Sequence, residues 1–211
     1  GNMGDTAIFQ QCCLIRGMEQ LFVDLMVEKD VAHALLNTVT EIQSKKMERY
    51  LDAVGDYLDV VAIGDDLAQQ AGPLISPDLF REMVKPYLAR YAKLIKSKTD
   101  APLHLHSCGS VVMLLDDLIE IGIDIINPVQ VSARDMDPRL LKDRFDGRIC
   151  FWGGIDTQHL LPRGTPDEVQ AEVRRVAGIL GEGGGYVLDS VHNIQPDVPP
   201  ENIVAMYEAV W

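Results

Sequence analysis

Five short runs along the chain are almost wholly apolar, and each stops at polar residues or glycine: Leu58–Gly64, Pro102–His106, Ile123–Asn127, Ile149–Trp152 and Tyr186–Leu188. Near-continuous apolar character, rather than strict alternation, predicts parallel strands covered on both faces. Thr6–Gln10 is a sixth candidate strand. Between these runs, apolar residues recur with helical spacing. Val169, Val173, Val176, Ala177 and Leu180 follow Thr165-Pro166-Asp167-Glu168, a capping box with proline in the first turn, and the helix is expected to stop at Gly181. Ser76-Pro77 opens a helix toward Lys96 with an interruption expected at Pro86, and Asp30 is expected to cap a long helix through Val54. Pro199-Pro200-Glu201 starts a last helix toward Trp211.

The pattern is a repeat of strand and helix without a linker, so residues 1–211 are read as one domain. The strand ends near Asp65, Cys108, Gln130, Asp156 and His192 fall about 32 residues apart on average. A (β/α)₈ barrel of roughly 250 residues spends about 31 residues on each unit. The expected fold is therefore α/β, a TIM barrel with its first strands absent from this sequence. An open doubly wound sheet is the alternative, although no G-x-G-x-x-G follows the first clear strand.

Charge and composition narrow the function. With 19 Lys+Arg against 32 Asp+Glu, the net charge of −13 argues against a nucleic-acid partner, which clustered cations would recognise. No apolar stretch approaches the roughly 20 residues that span a bilayer, and no basic-then-apolar signal-peptide pattern is read at the start, so none is expected. Four cysteines, two of them adjacent, make a poor disulfide framework, so a reduced, cytoplasmic compartment is expected. Cys12, Cys13 and Cys150 are read as packed thiols, and Met18, Met26, Met83 and Met113 as core filling.

Ligands of parallel α/β folds bind at the carboxyl ends of the strands. The residues there include Asp65, Asp66, His106, Cys108, Asn127, Gln130, Asp156, Asp189 and His192. In His104-Leu105-His106-Ser107-Cys108-Gly109, residues His106 and Cys108 share one side of an extended chain and can converge on a metal, with imidazole and thiolate favouring zinc. His192 is the expected third ligand and Asp189 its rival, whereas His104 is read as structural. One carboxylate of Asp65-Asp66 is expected to face the barrel mouth, as a support for a ligand imidazole, a contact to substrate or an acid/base; a helix cap is the other role open to it. Asp156 faces the same choice, and Gly153-Gly154 before it would let a ligand approach the backbone.

The succession Gly64-Asp65-Asp66, ISPDLFREMVKPY from Ile75, HSCGS from His106, GIDIINPVQ from Gly122, FWGGIDTQ from Phe151 and HNIQPDVPPEN from His192 resembles the uroporphyrinogen decarboxylase superfamily, in family order from about Gly4 to Ala209. The resemblance implies a (β/α)₈ barrel whose first two strands are absent here, leaving six βα units as the third to eighth.

It also implies one of two chemistries. In the corrinoid-dependent methyltransferase branch, zinc is held by an H-x-C pair on the fifth strand and a Cys at the end of the eighth. His106 and Cys108 match the pair, and His192 stands at the final position, a departure that still suits zinc. The decarboxylase branch, which needs no cofactor, is matched at His192, but its substrate tyrosine falls on Cys13. Moreover, eight substrate carboxylates suit a chain of net charge −13 poorly, with Arg134 and Arg163 as the only loop arginines placed to help.

The reading is zinc-dependent methyl transfer between a small methyl donor or thiol and a corrinoid carried by a partner protein. The zinc ligands are His106, Cys108 and His192, the catalytic residues Asp65, Asp66 and His192, and the substrate-binding residues Gln130, Asp156 and Asp189. Decarboxylation of uroporphyrinogen or a related carboxylated substrate, and a non-catalytic ligand-binding barrel, are the alternatives. Exposed sheet edges would favour a homo-oligomer.

Overall fold

A computed structural model describes residues 2–210, with side chains from Thr6 to Val210. Six parallel strands form one sheet: β1 (Asn2–Thr6), β2 (Val61–Gly64), then, after a small hairpin of β3 (Ala68–Gln69) and β4 (Gly72–Pro73), β5 (Leu103–His106), β6 (Ile125–Asn127), β7 (Cys150–Ile155) and β8 (Tyr186–Ser190). The order β1-β2-β5-β6-β7-β8 follows the chain, and the sheet has edges at β1 and β8. Sequential parallel strands joined by helices are the arrangement of a barrel wall. This is the α/β fold expected from the pattern, as a partial barrel.

The two faces of the sheet differ. Val61, Ile63, Leu103, Leu105, Ile126 and Phe151 point to the helix-covered side and are buried. The alternate residues Ala62, His106, Cys150, Trp152, Val187 and Asp189 face the other side and are only half-buried. His106, Trp152 and Asp189 thus share the less buried face of the sheet.

The helices are α1 (Phe9–Arg16), α2 (Met18–Val27), α3 (Lys29–Val54), α4 (Pro77–Leu79), α5 (Lys85–Lys96), α6 (Leu115–Glu120), α7 (Pro138–Phe145), α8 (Leu160–Arg163), α9 (Pro166–Leu180) and α10 (Pro200–Glu208). The capping box of α9 forms as read, with Thr165 and Glu168 exchanging hydrogen bonds. At Pro86 the helix does not simply kink. A π-helical turn over Phe80–Val84 separates α4 from α5, which accommodates the N–H that proline lacks.

Three local readings are corrected. The first strand ends at Thr6 rather than starting there, and the chain turns into α1 by Phe9. The N-cap of that helix is Ile8, whose side chain cannot cap. Asp30 lies in the first turn of α3, where a negative charge suits the helix dipole, and Glu28 holds the cap position. Of the four methionines read as core, only Met83 is buried; Met18, Met26 and Met113 are exposed. Trp211 lies outside the described residues. No helix among the described residues is long and apolar enough to cross a membrane.

Candidate metal centre and its supports

His106 ends β5, Cys108 follows two residues later, and His192 follows β8. The fold brings one ligand-type atom from each within 4.8 Å of the others. Cys108 Sγ lies 3.4 Å from His106 Nε2. That separation matches the roughly 3.5 Å expected for sulfur and nitrogen sharing a tetrahedral zinc, given Zn–S of about 2.3 Å and Zn–N of about 2.0–2.1 Å. The His106 and His192 rings meet edge to face, 5.5 Å apart. One thiol and two imidazoles fit a zinc centre with an open position, and His106, Cys108 and His192 are the residues that would hold it. Burial and the nearby Asp66 charge push the Cys108 thiol up to about 11.

The loop carrying Cys108 is fixed from several directions. The Cys108 N–H donates to Asp66 Oδ1 at 2.9 Å, and the Gly109 N–H donates to Gln130 Oε1 at 2.8 Å. Gly109 has φ +85°, and a Cβ there would lie 2.7 Å from the Gln69 backbone in β3. Ser110 N–H bonds the Gln69 carbonyl, so the hairpin presses directly on the loop that carries Cys108. The sequence reading missed this hairpin, because two-residue strands leave no periodic signal.

Asp65 and Asp66 take unlike roles. Asp66 supports Cys108 and also accepts from the Gln10 side chain at 3.2 Å. Asp65 has no exposed surface. Its carboxylate accepts the backbone N–H groups of Ile8, Phe9 and Gln10 at 3.0, 3.0 and 2.6 Å, supplying from β2 the cap that α1 lacks locally. Burial raises its pKa to about 6 against the downward pull of those three N–H groups. Asp65 therefore takes the helix-cap role, the other of the two left open for this pair of carboxylates.

The residues expected to contact substrate also have partners within the protein. Gln130 is buried and spends its amide oxygen on Gly109. Asp156 accepts from the N–H groups of Gln158, His159 and Leu160, and lines a groove of about 820 Å³ with Ser132, Arg163 and Arg175 that contains none of the three ligand-type residues. Asp189 accepts from Trp152 Nε1 at 2.9 Å and from the Ser190 N–H. At Gly153 the space a side chain would take is filled by the protein itself: a Cβ would lie 1.9 Å from the Pro128 carbonyl.

His104 is buried with its ring edge-on to Trp152, and burial beside His106 lowers its pKa to about 4. Its Nδ1 has no hydrogen-bond partner. Cys12 and Cys13 are packed thiols, pushed up to about 12 and about 11 by burial and the Asp65 charge. Cys150 is half-buried.

The sequence profile described as uroporphyrinogen decarboxylase (URO-D) matches residues 6–211. The chain belongs to the uroporphyrinogen decarboxylase family. Among its relatives, the uroporphyrinogen decarboxylase of Xylella fastidiosa is 29% identical over 197 residues, which cover 86% of this chain and 49% of that protein. The counterpart in Chlorobium phaeobacteroides is 26% identical over 189 residues, covering 87% and 49%. The chain thus spans about half the length of the curated relatives it matches. A solved methyltransferase from Methanosarcina mazei superposes with a TM-score of 0.73 at 25% identity, over 95% of this chain and 55% of that one. The family is enzymatic, and both decarboxylase and methyltransferase names occur among the relatives of this chain.

Proposed function

We propose that this member of the uroporphyrinogen decarboxylase family holds zinc through His106, Cys108 and His192 and transfers a methyl group between a small methyl donor or thiol and a corrinoid borne by a partner protein. The observation that carries the reading is the convergence of those three side chains, with Sγ and Nε2 at ligand spacing. The fold likeness to a methyltransferase adds support.

When bound, the metal would supply a Lewis acid that lowers the pKa of a coordinated thiol. The chain's own residues hold the site in shape. Asp66 fixes the backbone of Cys108, Gln130 ties down Gly109, and Trp152 with Asp189 forms the adjoining wall. Asp66 is a positioning group in this account and Asp65 a structural one.

The test is demethylation of methylcobalamin by an added thiol, followed by its visible spectrum. Turnover is expected in the wild type, lost on chelation, restored by zinc, and absent in Cys108→Ser. Turnover indifferent to both chelator and Cys108→Ser would overturn the proposal. The names of the curated relatives favour a second reading, decarboxylation without a cofactor. That reading predicts CO₂ release from uroporphyrinogen that chelators do not touch.

A further inference from the structure

The two imidazoles at the candidate centre differ in the kind of partner each Nδ1 faces. Asn127 Nδ2 donates to the Trp152 carbonyl at 3.2 Å, a partner that can only accept. The Asn127 amide is thereby oriented, and its Oδ1 faces His106 Nδ1 at 2.6 Å. A carboxamide oxygen has no proton to give, so Nδ1 of His106 carries the hydrogen. Nε2 keeps its lone pair and points at Cys108 Sγ.

His192 is arranged the other way. The Asn193 backbone N–H donates to His192 Nδ1 at 2.8 Å, so the neutral ring carries its proton on Nε2. Burial reinforces the contrast. Asn127 is 9% exposed and sits directly across from His106 in the β5–β6 register, whereas His192 is an exposed loop residue. One ring is locked between neighbouring strands; the other is held by a single bond to its own loop.

We infer that Asn127 is a positioning residue that makes His106 the permanent imidazole ligand, and that His192 is an exchangeable ligand, able to coordinate only after giving up the Asn193 N–H. The inference rests on the metal reading above, but its first half concerns the metal-free protein too. A ligand that leaves and returns would let the centre vary its open positions as substrate arrives. A second shell of this kind fixes both the tautomer and the aim of a metal-bound histidine.

Long-range ¹H–¹⁵N correlation spectra of the histidine-labelled, metal-free protein, recorded above the ordinary imidazole titration range, report each tautomer directly. His106 is expected as the Nδ1–H form and His192 as the Nε2–H form. Asn127→Leu should abolish the fixed His106 tautomer, and Asn127→Asp should retain it. In chelator competition, Asn127→Leu should weaken zinc binding by roughly 10–100-fold, with Asn127→Asp recovering most of the loss. His192→Ala should cost less affinity than His106→Ala and should keep the thiolate-to-metal charge-transfer band of the cobalt(II) form.

An Nε2–H tautomer at His106 in the wild type would overturn the role of Asn127. Equal losses from His192→Ala and His106→Ala would overturn the exchangeable ligand. Failure of the wild type to take up zinc would end the metal reading and the exchangeable ligand with it, while the spectra would still decide the tautomers.

Discussion

Asp65→Ala is expected to lower the unfolding free energy by about 3–5 kcal/mol, because it leaves three N–H groups at a buried helix start without acceptors. Native domains are stable by only about 5–15 kcal/mol, so this one change removes a large share. Asp65→Asn should fall between, since its amide still accepts through one oxygen but turns an N–H₂ toward backbone donors. Urea denaturation measures both. A catalytic Asp65 would give the reverse pattern, with turnover lost and stability nearly intact in Asp65→Asn.

Gly153→Ala is expected to be comparably damaging, at about 3–5 kcal/mol. Gly153 has φ +121°, and the atom a side chain would strike is a backbone carbonyl that already accepts the Gly154 N–H at 3.0 Å. Neither partner can yield without moving the end of β6 away from β7. The same displacement would shift the Trp152 carbonyl that orients Asn127, so zinc affinity in chelator competition should fall together with the urea midpoint. Full stability in Gly153→Ala would show that the two strand ends move more freely than the packing implies.

Strands β2, β5, β6, β7 and β8 were legible because each contains an apolar run closed by polar residues or glycine, and their spacing pointed to a barrel wall before any contact was known; β1, Asn2–Thr6, has no such run and was read too late in the chain. The α9 capping box was legible for the same reason: its partners are three residues apart. Long-range contacts were not. Asp65 caps a helix more than fifty positions earlier, and nothing near Ile8 announces it.

The candidate centre shows the same division. His106 and Cys108 were legible as an H-x-C pair on one side of a strand end. Asn127 was visible as a polar strand end, but its bond to His106 depends on the β5–β6 register, which only pairing reveals. The glycines before Asp156 carried a true signal of close backbone approach, but what approaches is the Pro128 carbonyl rather than a ligand. Methionine was a poor guide to burial, since its flexible side chain is as readily tolerated on the exposed faces of Met18 and Met26 as in the core at Met83.

Elemental mass spectrometry of the purified protein beside Cys108→Ser, each after incubation with zinc and removal of the excess, decides whether the three side chains hold a metal. Near-stoichiometric zinc is expected in the wild type, and its loss in a Cys108→Ser protein that keeps its circular dichroism spectrum and urea midpoint. A wild type that retains no zinc, or a mutant that retains as much, would contradict the metal reading.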